Sequence, residues 1–203
     1  MCRFPGGRLF EAAAVGIAAA LIFLQSLWLD GAFLPRWILW QEREGVLEEP
    51  SRQGQFRYEL RGRYFFLYRD GERIYEAPGD WRIQDVLTDD VNGDGKQEIV
   101  MLAWRRGNYG DHMPSWVEKN DTSFSQHLFV YTLRDEDEDG PALRALWMSS
   151  ALGFDVRTME SGGEVRGTGR PSLTLTGPDG SVSHWAWLSW GYRMVEEISV
   201  RQK

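Results

Sequence analysis

The chain has 203 residues, a formal net charge of −7 at pH 7 and a single cysteine, Cys2. All but two of its 23 basic residues and all but two of its 30 acidic residues lie in residues 36–203, which carry the whole net charge. This acidic balance argues against nucleic acid or an anionic membrane surface as a partner. Because no cysteine follows Cys2, stability must come from a packed core, to which bound metal could add.

An uncharged apolar segment lies near the start of the chain. Residues 12–29 hold no charged side chain, and about eighteen such residues suffice for a short transmembrane helix. Arg3 and Arg8 precede the segment and acidic residues follow it, so the positive-inside rule places the N-terminus in the cytoplasm. We predict a cytoplasmic tail (1–9), a signal-anchor transmembrane helix (10–29), a juxtamembrane linker (30–50) and an extracytoplasmic domain (51–203).

A cleaved signal peptide is the alternative interpretation of this segment. Its small-residue triplets lie inside the apolar run, whereas a cleavage site belongs at the polar end. Cys2 precedes the run and is not placed for lipid attachment. We therefore favour an uncleaved anchor and a single-pass location in the cell membrane. The following Trp37 and Trp40 suit either the membrane interface or a first strand of the outer domain.

Apolar runs separated by turn residues predict a series of β-hairpins. The first covers residues 64–75 and turns at Asp70-Gly71, a dipeptide typical of hairpin turns. Further hairpins are predicted at 81–104, 127–147 and 184–195. The sequence therefore predicts an all-β outer domain of antiparallel meanders, in addition to the transmembrane helix.

The hairpin at 81–104 carries a loop that is typical of a calcium site. Oxygen-bearing side chains occupy positions 1, 3, 5 and 9 of this loop, and Gly95 at position 6 allows a positive φ. Ca²⁺ takes about six to eight oxygen ligands, which alternate residues of a loop can supply. The predicted ligands are the side chains of Asp90, Asn92, Asp94 and Glu98 and the backbone carbonyl of Lys96.

Two alternatives concern this loop and a second acidic segment. An EF-hand is excluded because its position 12 would be Met101 and because strands, not helices, flank the loop. A metal-free acidic turn remains open, since Asp, Asn and Gly are common in turns, although unpaired like charges would repel. The run Asp135–Gly140 has a similar start but Leu143 at its position 9. We interpret it as a solvated hairpin tip, with a weak second cation site as the alternative.

The pattern D-x-N-x-D-G-x-x-E followed by Ile99-Val100 resembles the FG-GAP/VCBS repeat, the blade unit of the integrin-α-like β-propeller. The match covers about twenty residues, and the resemblance implies a Ca²⁺-binding hairpin within a propeller blade. Residues 164–172 share the glycine, the basic residue and the following apolar strand. There the ligand positions hold Glu164, Arg166, Thr168 and Ser172, which suggests a degenerate copy without metal.

The number of hairpins departs from the resemblance. They amount to about two and a half blades, whereas propellers usually have four or more. We therefore expect an incomplete propeller arc, a sandwich-like stack or a distorted barrel. An open sheet edge in such a domain could pair with a partner protein.

The segment 105–126 lacks a strand period and mixes aromatic with charged residues. Long loops in compact domains are often functional, so this one is a candidate surface for a glycan, a peptide or an anionic polymer. An ordered surface insertion is the alternative. The candidate ligand or partner residues are Arg105, Tyr109, His112, Trp116 and Lys119.

Catalysis has little support in the sequence. The three histidines lack metal-ligand spacing, and no nucleophile elbow, P-loop or H-E-x-x-H motif occurs. Trp185, Trp187 and Trp190 could stack on sugars, although alternate spacing in a strand is more typical of packing. We predict a non-enzymatic, membrane-anchored binding or interaction protein with a structural Ca²⁺. The alternatives are an accessory subunit of a cell-envelope assembly and a carbohydrate-active enzyme.

Overall fold

A computed structural model of the chain describes residues 6–29, 33–48, 54–107, 115, 118–119, 123–134, 139–165, 170–195 and 200–201. The chain divides into two compact units, Met1–Pro35 and Arg36–Lys203. In the first unit, helix side chains are described for residue 11 and residues 14–27.

The first unit contains one helix, α1 (Gly6–Leu29), of 24 residues. It ends at the predicted residue and begins four residues before the predicted start. The large apolar side chains described on α1, from Val15 to Leu24, are between 51% and 70% exposed. Among the described residues, no helix is both long and apolar enough to cross a membrane.

The described part of the second unit contains thirteen strands in three antiparallel sheets, which confirms the predicted all-β class. The first sheet has the order β1-β2-β3-β4, the second β5-β6-β7-β8 and the third β12-β11-β10-β9-β13. The strands are β1 (Arg43–Leu47), β2 (Phe56–Arg61), β3 (Tyr64–Arg69), β4 (Glu72–Glu76), β5 (Arg82–Asp89), β6 (Glu98–Arg106), β7 (Phe124–Leu133), β8 (Leu143–Met148), β9 (Thr158–Val165), β10 (Pro171–Thr176), β11 (Val182–Leu188), β12 (Gly191–Met194) and β13 (Val200–Arg201).

The second sheet is buried on both faces, because successive side chains of a strand point to opposite sides. On β6, Ile99, Met101 and Ala103 enter the first core, while Val100 and Leu102 enter the second. The first sheet adds Leu47, Phe56, Tyr58, Leu60, Phe65 and Leu67 to the first core, and the third sheet adds Met159, Leu173, Leu175, Trp187 and Tyr192 to the second. This two-sided burial explains the continuous apolar run in β6.

The four predicted hairpins form β3–β4, β5–β6, β7–β8 and β11–β12. The predicted linker 30–50 requires correction, because the second unit begins at Arg36 and β1 pairs with β2. Ile38 and Leu47 are buried, which ties this segment to the β-domain. Trp37 is not in a strand, and its ring lies 6.0 Å from that of Trp104.

The pairing of β5 with β6 fixes where the candidate sites lie. The ladder runs from Asp89 opposite Glu98 to Arg82 opposite Trp104. The 90–97 loop therefore leaves one end of β6, and the segment that begins at residue 105 leaves the other. The nine residues of β6 are joined by about eight steps of roughly 3.4 Å, which separate these ends by roughly 27 Å. The 90–97 loop and residues 105–107 therefore lie at opposite ends of β6.

Candidate functional site

The 90–97 loop is fixed to the protein interior by its second residue and by the strand that follows it. Val91 is buried in the second core, and its backbone N–H donates to Oε2 of Glu98 at 3.1 Å. The Glu98 residue is 0% exposed. On the preceding strand, Asp89 Oδ2 accepts a hydrogen bond from the hydroxyl of Ser161 in β9 at 2.5 Å. The loop is thus connected to both the second and the third sheet.

Asp90 organises the backbone of the loop. Its Oδ1 accepts from the N–H groups of Gly93 at 2.8 Å and Asp94 at 3.0 Å, and its Oδ2 accepts from Gly95 at 2.9 Å. Gly93 and Gly95 have φ values of 78° and 85°, a region that glycine adopts without a steric penalty. A carboxylate has about four lone-pair positions, so three accepted hydrogen bonds leave capacity for a cation.

Three of the predicted ligands converge through the side chain of Asn92. Its Nδ2 donates to Glu98 Oε1 at 2.9 Å and to Asp94 Oδ2 at 3.2 Å. Its Oδ1 accepts from the Asp94 N–H at 2.8 Å, and Asp94 Oδ1 accepts from the Lys96 N–H at 2.9 Å. The amide nitrogen therefore lies between two carboxylates, and rotation of the amide would turn an oxygen toward them.

Electrostatics make the Glu98 carboxylate costly to ionise. Burial and the charges of Asp94 and Asp90 raise its pKa to about 8, against hydrogen bonds from Val91 and Asn92 that lower it. A buried carboxylate near two others requires a proton or a cation. Oxygen is the only donor element that these side chains would offer, which fits a hard cation such as Ca²⁺.

Metal-ligand geometry is not already assembled in this conformation. Among the described residues, no group of three or more His, Cys, Asp or Glu side chains is arranged to hold a metal ion. Asp90 directs both oxygens to backbone N–H groups, and Asn92 presents its nitrogen to Asp94 and Glu98. Cation binding would therefore require the Asn92 amide to rotate. The backbone carbonyl of Lys96 remains a predicted ligand.

The segment predicted to be a degenerate copy of the loop lies in the β9–β10 hairpin. The β9–β10 hairpin opens the third sheet, as β5–β6 opens the second. Glu164 and Ser172 lie on its two strands, and Ser172 is buried. Arg166 and Thr168 lie outside the described residues, as do residues 135–138 of the other acidic segment.

The predicted ligand surface can be located only in part. The guanidinium of Arg105 lies 5.3 Å from the ring centre of Trp81 and 6.0 Å from that of Phe129. Lys119 is exposed. The remaining members, Tyr109, His112 and Trp116, lie outside the described residues.

A cleft of about 360 Å³, which sequence reasoning missed, opens where residues near the ends of β6 and β7 meet the segment after β8. Aromatic rings and one carboxylate contribute to its lining. The lining residues are Trp104, Phe124, Ser125, Gln126, Ala151, Leu152, Gly153, Phe154 and Asp155.

A buried amide network supports the cleft from within. Gln84 Oε1 accepts from Trp104 Nε1 and from Gln126 Nε2, each at 2.8 Å. The Gln84 amide nitrogen donates to the carbonyls of Val156 and Arg157 at 3.0 Å, and the Val156 N–H donates to Gln126 Oε1 at 2.7 Å. These partners are 20 to 73 residues apart in the chain, so no local sequence pattern predicts the network.

His127 has a structural environment. Its Nδ1 lies 3.2 Å from the carbonyl oxygen of Ser149, and its Nε2 lies 3.0 Å from the hydroxyl of Ser125. Burial lowers the pKa of this histidine and favours the neutral ring. The two contacts satisfy both ring nitrogens, which accounts for the buried position without a catalytic role.

The tryptophans near the C-terminus differ in their surroundings. Trp187 is buried in the second core, and the partly buried Trp185 stacks on Phe154 at 5.9 Å. Trp190, at the β11–β12 turn, is 67% exposed. The three rings therefore do not form one sugar-binding face.

No protein-family model matches this chain, and no curated protein matches it.

Proposed function

We propose that this protein is a membrane-anchored, extracytoplasmic binding or interaction protein whose β-domain is stabilised by Ca²⁺ in the 90–98 loop. The observation that carries the proposal is the gathering of Asp90, Asp94 and Glu98 with Asn92 in a loop attached to the second core. A divalent cation would remove the repulsion among the carboxylates and the cost of the buried Glu98 charge.

The attachments of the loop favour a structural role for the cation. Val91 packs with residues of the second and third sheets, and Asp89 is hydrogen-bonded to Ser161 of the third sheet. Cation binding to the folded state would therefore stabilise the junction of these sheets. Binding free energy available only to the folded state adds directly to the free energy of unfolding.

We further propose that the three sheets are blades of an incomplete FG-GAP/VCBS-like propeller arc. Two observations support this proposal. The first two sheets and strands β9 to β12 of the third are antiparallel meanders, to which β13 adds by pairing with β9, and consecutive sheets share a core. The hairpin with the calcium-like loop and its degenerate copy also open consecutive sheets. An arc would leave the outer face of the first sheet uncovered by another blade.

The proposed anchor is α1. Residues 12–29 are uncharged, and the large apolar side chains described from Val15 to Leu24 are more than half exposed. Transfer of this apolar surface from water into the hydrocarbon of a membrane would be favourable. The preceding Arg3 and Arg8 favour a cytoplasmic N-terminus, which places the β-domain outside the membrane.

A second candidate function is an accessory subunit of an envelope assembly. The outer face of the first sheet favours this second function. Three partly exposed aromatic residues occupy alternate positions of β3, and an arginine lies near each ring. The pairs are Tyr64 with Arg82 at 5.0 Å, Phe66 with Arg73 at 5.5 Å and Tyr68 with Arg57 at 5.0 Å. A photo-crosslinker at Phe66 should capture one defined membrane neighbour, whereas the same group at Trp190 should not. Equal labelling from both positions would contradict this function.

Thermal unfolding of the full chain in detergent, with Ca²⁺ or with EDTA, tests the principal proposal. At a free Ca²⁺ concentration about 100-fold above Kd, binding adds about 2.7 kcal/mol, so Tm should rise by several degrees. Asp94→Ala should abolish most of this rise. Asp179→Ala is the matched control, because Asp179 accepts a hydrogen bond from the Ser181 N–H in another turn. An unchanged Tm in EDTA, together with an unchanged Asp94→Ala variant, would rule out the structural cation.

A further inference from the structure

The cleft beside Trp104 has the dimensions of a small-ligand site. Its volume of about 360 Å³ falls within the usual range for such pockets. One part of its lining comes from Trp104 and Phe124 on the second sheet, and another comes from Phe154 and Asp155 on the segment leading to the third sheet. The cleft therefore lies where two sheets meet, at the end of β6 opposite the 90–97 loop.

The aromatic rings of the cleft are supported from behind. Trp104 donates its indole N–H to the buried Gln84, and its ring lies 6.0 Å from that of Trp37. Phe154 stacks on Trp185 with an interplanar angle of 26°. Trp104 is 4% exposed, so the partly exposed Phe154 supplies the accessible apolar surface of the two rings. Because the Phe154 ring is held by stacking, little side-chain entropy is lost when a ligand packs on it.

The charges around the cleft have opposite signs. The exposed Asp155 contributes a carboxylate, and the guanidinium of Arg106 lies 4.1 Å from the centre of the Phe124 ring. A cationic ligand would be repelled by Arg106, and an anionic ligand by Asp155. Hydroxyl groups suit such surroundings, because they donate to the carboxylate of Asp155 without carrying a net charge.

We propose that this cleft binds a neutral saccharide, with a pyranose ring packed on Phe154 and its hydroxyls near Asp155. The apolar C–H face of such a ring complements an aromatic surface, and its hydroxyls match the mixed charges. The proposal specifies a ligand class for the proposed binding role and rests on that role. The calcium loop is a separate site, because Glu98 and the cleft residue Trp104 lie roughly 20 Å apart along β6.

Calorimetric titration of the full chain in detergent with Ca²⁺ tests the assignment. The probes are neutral tetrasaccharides of β-1,4-linked glucose and of N-acetylglucosamine, with the acidic galacturonate and the cationic glucosamine tetramers as charged comparisons. We expect at least one neutral probe to bind with Kd below about 10 mM, and each charged probe to bind at least about tenfold more weakly. Failure of both neutral probes to bind, or preference for a charged one, would overturn the proposal.

Variants locate the binding in the cleft. Phe154→Leu keeps an apolar side chain but removes the ring, and Asp155→Asn removes the charge of an exposed residue. Each should weaken binding of the neutral probe at least about tenfold. Trp190→Ala is the control, since this exposed tryptophan does not line the cleft. Unchanged affinity in Phe154→Leu would refute the assignment.

The Ca²⁺-dependent Tm is recorded on the same samples. A retained Ca²⁺ response without saccharide binding would overturn the cleft assignment alone. Loss of the Ca²⁺ response with retained saccharide binding would instead contradict the structural-cation proposal and leave the cleft assignment standing.

Discussion

Asn92 distinguishes the two interpretations of the acidic loop, because its amide nitrogen donates to both Asp94 and Glu98. Asn92→Asp should destabilise the metal-free protein by about 1–3 kcal/mol, since it replaces two donated hydrogen bonds with charge repulsion. With Ca²⁺ the added carboxylate becomes a further anionic ligand and should tighten binding. The difference in Tm between Ca²⁺ and EDTA should therefore widen in this variant.

Asn92→Ala provides the matched control. It loses the same hydrogen bonds without adding a ligand, so both the metal-free Tm and the Ca²⁺-dependent rise should fall. If Asn92→Asp lost stability in EDTA but gained no larger Ca²⁺ response than the wild type, the loop would be an acidic turn and not a cation site.

The raised pKa of Glu98 gives the metal-free protein a defined pH dependence. The pKa is about 8 in the folded state and about 4.5 in the unfolded chain, so the folded state holds the proton that the unfolded chain has released. This contribution to stability is fully present below pH 4.5 and is lost as pH rises through 8. The free energy of unfolding should fall by at most about 1.4 kcal/mol per pH unit within this window.

Urea unfolding in EDTA at about pH 6.5, 7.25 and 8 measures this slope. His127, whose pKa is lowered from its ordinary value of 6.5, gives a slope of opposite sign at the lower end of this range and contributes little at the upper end, so the upper interval reports Glu98. Glu98→Gln should flatten the slope. Saturating Ca²⁺ should also reduce it, because the cation holds Glu98 in its ionised form. An equal slope in the Glu98→Gln variant would assign the pH dependence to another group.

At the scale of elements, β1 depends on an ion pair with the second sheet. Arg43 Nε lies 3.0 Å from Oδ1 of Asp85, and the guanidinium also reaches Oδ2 at 3.4 Å. Burial raises the pKa of Asp85 more than Arg43 lowers it. Arg43→Met should therefore leave a buried carboxylate without its cation and destabilise the protein by about 2–3 kcal/mol. This is below the cost for a fully buried pair, because the Arg43 side chain is 41% exposed.

A double-mutant cycle tests this role. Asp85→Asn alone should also destabilise, but the double variant should be more stable than the sum of the two losses predicts, because the uncompensated charge is gone. Urea unfolding gives the four free energies. Additivity within about 0.5 kcal/mol would show that the ion pair does not attach β1 to β5.

Local pattern explains which elements were predictable. The β3–β4 hairpin has its turn in Asp70-Gly71, and the β5–β6 hairpin has its loop between two apolar strands. By contrast, β1 has one buried apolar residue, Leu47, so its pairing depends on β2. The sequence Phe56–Arg61 does alternate and could have predicted β2.

The two candidate sites also differ in how far the sequence alone predicts them. The hydrogen bonds between described residues of the 90–98 loop join residues at most seven positions apart, so the spacing of the loop residues was informative. The bond from the Glu48 N–H to Gln97 Oε1 is a long-range exception. The cleft depends on Gln84, Gln126 and Val156, which are brought together only by the tertiary fold. Buried glutamines look like surface residues in a sequence, since glutamine is usually exposed. The sequence alone therefore does not predict the packing that forms the cleft.

At the scale of the molecule, the second sheet joins two cores and carries both candidate sites. Its β6 strand separates the loop from the cleft, so a cation would act on the cleft only by stabilising the fold. The arrangement is consistent with one site for stability and another for recognition. The proposed function places the β-domain on the extracytoplasmic side of the membrane.

The single cysteine makes this topology testable. With the N-terminus in the cytoplasm, a membrane-impermeant maleimide should leave Cys2 unlabelled in intact cells and label it after permeabilisation. In a Cys2→Ser background, Asp179→Cys should be labelled in intact cells, because Asp179 lies in the exposed turn between β10 and β11. Trp190→Cys at the β11–β12 turn provides a second outer position. The reverse labelling pattern would place the β-domain in the cytoplasm and contradict the proposed extracytoplasmic role, whereas the calcium and saccharide titrations would still stand on their own results.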